Sequence, residues 1–234
     1  MKDIVAIIPA RSGSKGIPNK NIKLICDKPL IAFSIAVAKK SKLIDRVIVS
    51  TDSEEYAEIA LEYGAEVPFL RPLSMSGDDA KDNGFIEHAI SWFEDNESYL
   101  PNFFAHLRPT TPIRSCKVID DALQSFIKSQ FTALRSCHKM SESSYKTFEI
   151  ESNKLKSLCN GSFDIEASNQ GRQAYPTTYN ANGYIDVIRT KMVKNNGLIH
   201  GDSVQAFITE PTYELDEVSD IELLEYLMMK RPDF

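Results

Sequence analysis

The stretch IVAIIPA (4–10) is an unbroken apolar run, and a basic, glycine-containing loop, RSGSKGIPNKN (11–21), follows it directly. A strand with no polar alternation reads as one buried on both faces, the condition of a parallel sheet covered by helices. The chain after it keeps that pattern. PLIAFSIAVAKKS (29–41) is helical, with Pro29 at the first helical position and lysines in the last turn, and RVIVST (46–51) is a second strand. The next helix opens with Asp52 and Glu55 at capping-box spacing and ends at Gly64. EVPFLR (66–71) reads as a short strand, NGFIEHAISWFEDN (83–96) as an amphipathic helix, NFFAHLRP (102–109) as a strand, and KVIDDALQSFIKS (117–129) as another helix. Strands alternating with helices predict an α/β fold with a doubly wound, mostly parallel sheet, whose ligands bind at the carboxyl ends of the strands.

Past residue 130 the pattern changes. FTALRSCHKM and KTFEIE read as strands joined by the turn-like SESS, and SNQGRQAYPTTYNANG (168–183) is polar with no helical period. YIDVIR (184–189), VQAFIT (204–209) and a helix from about Ser219 to Arg231 close the chain, with Ser219 and Glu222 at capping-box spacing. The expectation is one domain over 1–234 with 132–182 as an excursion, a lid or an arm for a partner subunit.

A net charge of −6 gives no general affinity for nucleic acid or an anionic membrane, so a basic cluster in this chain needs a local cause. Four cysteines without CxxC spacing read as reduced thiols, and the four histidines lack zinc-ligand spacing. No apolar stretch approaches the ~20 residues that span a bilayer, and no signal-like N-terminus is present, so the expectation is a soluble cytoplasmic protein.

The loop 11–21 fails both familiar phosphate patterns. From Gly13, a Walker A loop requires glycine where Pro18 stands, and the Gly13–Gly16 spacing is not GxGxxG. What remains is Arg11, Ser12, Ser14, Lys15 and Lys20 around Gly13, behind the most buried strand; three cations and bare amides suit a triphosphate. LRPTTPIR (107–114) is a turn carrying Arg108, Thr110, Thr111 and Arg114, where basic groups suit a substrate carboxylate. Glu214 and Asp216 sit two apart in YELDEVSD, so on an extended segment both carboxylates face one way and suit a Mg²⁺ ion that keeps waters. An acidic run leading into the last helix is the competing reading.

ARSGSKGIPNKN, with VSTD (49–52), FLRP (69–72), LRPTTPIR and NG (182–183), resembles the acylneuraminate cytidylyltransferases, and the match runs in order through nearly the whole chain. The resemblance implies a nucleotidyltransferase-like sheet with a small dimerisation subdomain, and transfer of CMP from CTP to the anomeric hydroxyl of a nonulosonic acid with release of pyrophosphate. It places Arg11, Ser14, Lys15 and Lys20 on the phosphates, Asn21 on the cytosine edge, Arg71 near the base, and Asp78 and Asp82 on base and ribose. It places Lys146, Arg172 and Gln173 on the sugar of the neighbouring subunit, with Tyr179, Asn182 and Gly183 along the same pocket. Glu214 and Asp216 match the family's acidic pair, which implies Mg²⁺, and Asp216 joins Lys15 and Lys20 as a catalytic candidate. Family members often carry glutamine where this chain has Arg108, so the particular sugar stays open. The rivals are a related α-keto acid sugar (legionaminate, pseudaminate, 3-deoxy-octulosonate), another nucleotide, or a non-catalytic nucleotide-binding homologue. Asp52 reads as a helix cap rather than a catalytic group.

Overall fold

The computed structural model describes residues 3–75, 77 and 82–231, with position 82 in backbone only. In chain order, β1 (Ile4–Pro9) leads through the basic loop to a small hairpin of β2 (Leu24–Ile25) and β3 (Lys28–Pro29), then α1 (Leu30–Lys40), β4 (Arg46–Ser50) and α2 (Glu54–Glu62). α3 (Asp82–Trp92), β5 (Phe103–His106), α4 (Cys116–Ile127) and β6 (Ala133–Lys139) follow. A hairpin of β7 (Phe148–Glu151) and β8 (Lys154–Ser157) precedes β9 (Tyr179–Arg189), α5 (Thr190–Asn196), β10 (Val204–Ile208) and α6 (Asp220–Met229).

The main sheet runs β10-β6-β9-β5-β1-β4. β4 and β5 flank β1 in parallel, β10 is parallel to β6, and β9 alone runs antiparallel to its neighbours. The unbroken apolar run explains itself in β1. Ile4, Ala6 and Ile8 pack beneath α1 and α4, with Ile31, Ile35, Ile119 and Phe126. Val5 and Ile7 face the opposite layer, where α3 and α5 supply Ile86, Ala89, Ile90 and Val193. Each fully buried isoleucine contributes roughly 1.5–3 kcal/mol. The α/β, doubly wound, mostly parallel architecture expected from the alternation is the one observed.

Four local expectations change. EVPFLR forms two isolated bridges, Glu66 to Ile48 and Leu70 to Thr51, instead of a strand; Pro68 has no N–H with which to continue a ladder. The cap of α2 is Ser53, whose hydroxyl accepts from Tyr56 N, so Asp52 is free for another task. Ser219 makes no side-chain cap on α6; Asp220, the helix's first residue, instead turns back on the preceding segment, its Oδ2 accepting from the backbone of Asp216 at 2.8 Å and Glu217 at 2.7 Å. Finally β6, expected to open the excursion, belongs to the main sheet between β9 and β10, so the chain leaves the sheet only after Lys139 and returns at Tyr179. KTFEIE pairs instead with β8, across Ser152 and Asn153, both at positive φ.

Candidate active site

The loop after β1 is held from three directions. Ile17 is buried in a third apolar cluster with Leu30, Ile113, Leu215 and Leu224, which ties the loop to the acidic segment and α6. Asp52 latches the loop's start, its two carboxylate oxygens accepting from Ser12 N (2.9 Å) and Ser12 Oγ (2.8 Å). Lys20 then spans almost the whole sequence, its Nζ donating to Leu215 O at 2.9 Å and lying 3.3 Å from Asp216 Oδ1. Gly16 lies close against the same segment, since a Cβ there would stand 3.3 Å from Asp216 O.

Beside this loop, at the carboxyl ends of β1 and β5, lies a cavity of about 540 Å³ lined by Arg11, Ser14, Lys15, Lys20, Arg71 and Arg108, together with Asn21 and Thr110. Five cations share it, and among the described residues no carboxylate lines it. In a chain of net charge −6 this is a local positive well, shaped for an anion of high charge. Arg71 is buried and braced by Ser50, donating to its carbonyl at 2.6 Å and its hydroxyl at 3.1 Å, with the guanidinium 5.2 Å above the Phe85 ring. Asn21 is also buried, its side-chain amide donating to Arg11 O at 2.9 Å. Arg11 donates to Gly77 O at 2.7 Å. Burial, reinforced by Arg108 and Arg114, pushes the His106 imidazole well below its usual pKa, so it is neutral at pH 7.

Several expected contacts take other roles. Ser12 is committed to Asp52 by both amide and hydroxyl. Arg114 is a buried strut rather than a substrate contact. It donates to the carbonyls of Tyr184, Arg108 and Gly183 and to Ser34 Oγ, and burial pushes its pKa down to about 9, still protonated at neutral pH. Thr111 is fully buried and does not reach the cavity. Gly183 serves packing: a Cβ would lie 2.3 Å from Thr111 Oγ1 and 3.1 Å from Glu214 Oε1. Its amide donates to Glu214 Oε1 at 2.9 Å, which fixes that carboxylate. Asn182 is buried by hydrogen bonds to Thr209 and His138. Gly13 stands in open space, where a Cβ would meet nothing. Asp78 and the side chain of Asp82 lie outside the described residues.

Glu214 and Asp216 do share a second cavity, of about 510 Å³, with Asn182, Glu217 and Asp220. The Asp216 side chain is 70% exposed. Four carboxylates line this opening beside the cationic cavity, and two of them, Glu214 and Asp216, fit Mg²⁺, which takes few protein ligands and keeps waters or phosphate oxygens for the rest. Among the described residues there is no cluster of three or more His, Cys, Asp or Glu that would bind a metal by protein alone.

Arg172 and Gln173 line a third cavity, on the excursion, of about 460 Å³ with Lys139, Ser143 and Tyr175. Arg172 donates to Met140 O at 3.1 Å, Lys146 stands 6.0 Å above the Tyr175 ring, and Tyr145 stacks on Tyr175. This cavity shares no residue with the loop cavity, and Tyr179, exposed at the start of β9, lines neither. Within one chain the expected sugar contacts are therefore split among three cavities: Arg108 and Thr110 in the first, Asn182 in the second, Arg172 and Gln173 in the third.

The pattern of a family described as Cytidylyltransferase matches residues 5–162, the segment carrying the basic loop, Arg71 and Arg108. The chain belongs to this family. An N-acylneuraminate cytidylyltransferase of Escherichia coli O18:K1:H7 is 34% identical over 231 residues, covering 97% of this chain and 52% of the relative, so this chain spans about half of that protein. The post-translational flagellin modification protein B of Campylobacter coli is 31% identical over 234 residues, 99% of this chain and 97% of the relative. In three dimensions the family fold extends to a CMP:2-keto-3-deoxy-manno-octonic acid synthetase complexed with CTP, at TM-score 0.71 and 16% identity over 97% of this chain and 98% of that one.

Two residues of this family member's site escaped the sequence patterns. Asp52 matched a cap motif, and Asp186 was one acid inside the apolar strand YIDVIR. The usable signal for Asp186 was the charge itself, since an ionised side chain in a buried strand needs a partner.

Proposed function

We propose that this chain transfers CMP from CTP to the anomeric hydroxyl of a nonulosonic acid, releasing pyrophosphate. The observation that carries the reading is the cavity with five cations whose Lys20 also touches Asp216. Arg11, Ser14, Lys15 and Lys20 take the triphosphate. In-line attack at the α-phosphorus builds charge on the departing pyrophosphate, and fixed cations in a partly enclosed site stabilise it without reorganising. Asn21 and the braced Arg71 lie at the base end. Arg108 and Thr110, on the β5 side, receive the acid sugar, whose carboxylate a guanidinium suits.

Glu214 and Asp216 would hold Mg²⁺, which when bound neutralises phosphate charge and acidifies the attacking hydroxyl. Gly183 keeps Glu214 in place, and Asp220 orders the backbone at Asp216. The excursion pocket of Arg172 and Gln173, exposed and separate, suits the sugar bound at a neighbouring subunit's loop cavity, which makes the working unit a homodimer. No helix among the described residues is long and apolar enough to cross a membrane.

The test crosses four nucleoside triphosphates against N-acetylneuraminate, legionaminate, pseudaminate and 3-deoxy-octulosonate, with Mg²⁺ and with chelator, reading pyrophosphate release. Turnover with CTP and a nine-carbon acid, lost on chelation, is expected. Turnover with another nucleotide in place of CTP would overturn the cytidylyl assignment.

A further inference from the structure

The antiparallel registers place His106 of β5, Asp186 of β9 and Arg135 of β6 in one row across the sheet, each directly opposite Asp186. The Asp186 carboxylate is 1% exposed. Its Oδ2 accepts from Arg108 Nη1 at 2.8 Å and lies 3.9 Å from His106 Nδ1. Its Oδ1 lies 3.9 Å from Arg135 Nε, beyond hydrogen-bond reach, and has no hydrogen-bond partner among the described residues. His106 is neutral at pH 7 and offers little charge compensation. Among the groups facing Asp186, Arg108 alone combines a full charge with a hydrogen bond.

Stability does not account for this arrangement. A buried ion pair rarely outperforms an apolar pair of similar volume, and here one carboxylate oxygen is left unsatisfied as well. What the arrangement does achieve is aim. The Arg108 side chain is 22% exposed and lines the loop cavity, while its carbonyl is gripped by the buried Arg114. Backbone and guanidinium are thus both fixed at the place where the second substrate must lie, two residues beyond β5.

We propose that Asp186 is a positioning residue: it holds the Arg108 guanidinium so that it meets the carboxylate of the acid sugar, and the pair sets the preference for an acid over its neutral ester. The inference rests on the CMP-transfer reading for the identity of the second substrate. Asp186 touches no substrate and acts through Arg108. His106 is uncharged, so Arg108 and Arg135 together outweigh the Asp186 carboxylate and leave a net positive charge, which favours an anion on the cavity side.

The experiment uses N-acetylneuraminate, legionaminate and pseudaminate, each as free acid and as methyl ester. It reads kcat/KM and, in parallel, equilibrium binding to the CTP-loaded protein. Wild type is expected to prefer the best acid over its ester by about 10- to 100-fold, the usual worth of hydrogen bonds to a charged group. Arg108→Gln and Asp186→Asn should each collapse that preference, raising KM for the acid while KM for CTP stays within about twofold. The double variant should discriminate no less than Arg108→Gln alone, because both changes remove one device. If Asp186→Asn fails to fold, Asp186→Glu, which keeps the charge and shifts it by one methylene, carries the test and should weaken the acid preference. Full acid preference in the Asp186 variant, a parallel rise in KM for CTP, or additive losses in the double variant would each overturn the proposal. Absence of turnover by wild type with every acid would count against the transfer reading instead, while the acid-against-ester binding preference still decides the role of Asp186.

Discussion

The loop cavity and the excursion pocket are both polar and both carry arginine, yet they are built by opposite means. Around the loop, charged side chains are fixed by partners far away in sequence: Lys20 by Leu215 and Asp216, Arg71 by Ser50, Arg108 by Asp186. Around Arg172, the contacts come from the excursion itself and the adjoining end of β6, and the side chains stay exposed. A site that stabilises developing charge gains from groups that need not move. A surface that presents itself to a second subunit gains from exposure. On the proposed reading, the contrast is between a catalytic end, complete in its cations within one chain, and a recognition patch that serves another copy of the chain.

The strongest way to break this contrast is at the catalytic end. Lys20→Ala or Asp216→Ala should lower turnover by about 10²- to 10³-fold with the fold intact by circular dichroism; loss of less than tenfold would remove the bridge from the mechanism. Arg172→Ala should raise KM for the acid by about tenfold and leave KM for CTP alone. Mixing the Lys20→Ala and Arg172→Ala proteins sharpens the comparison. Read well below the KM for the acid, random exchange should restore about a quarter of wild-type activity if each excursion serves its neighbour's cavity, and no more than the residual activity of Arg172→Ala if each serves its own.

Gly183→Ala should destabilise the protein by about 1–3 kcal/mol through overpacking against Thr111, read as a lower denaturation midpoint. It should also reduce turnover per folded molecule, since Glu214 loses its seat. Asp52→Ala releases Ser12 and should raise KM for CTP by up to about tenfold with little change in stability.

The smallest effect concerns acid. Two backbone N–H bonds, from Glu217 and then Asp216, hold the Asp220 carboxyl below its ordinary pKa. A carboxylate depressed in the folded state stabilises above its unfolded value, and that contribution is lost as pH falls through the lowered folded value. Order in the Asp216 segment should therefore decline only in strong acid, and Asp220→Asn should make amide exchange there less dependent on pH.

Much of this was legible in the chain. The unbroken run in β1 predicted burial on both faces, and the basic loop behind it predicted an anion site at the strand ends; both depend on neighbours in sequence. Capping was misread because Ser53 and Asp52 are adjacent and both satisfy the composition of a cap, and only the path of the loop shows that Asp52 points to Ser12. Arg114 had the chemistry of a substrate contact and became a strut, because the turn after β5 folds it beneath Gly183 and Tyr184.

The sequence by itself determined the class of sheet, the place of the loop, and the supply of cations and late carboxylates, because periodicity and charge are local properties. Only the tertiary structure decided which charges meet. Lys20 reaches Asp216 because Ile17 and Leu215 share a core, and Arg108 is held by Asp186 because β9 runs antiparallel beside β5. Burial makes each pairing compulsory, and burial is set by how the whole chain packs.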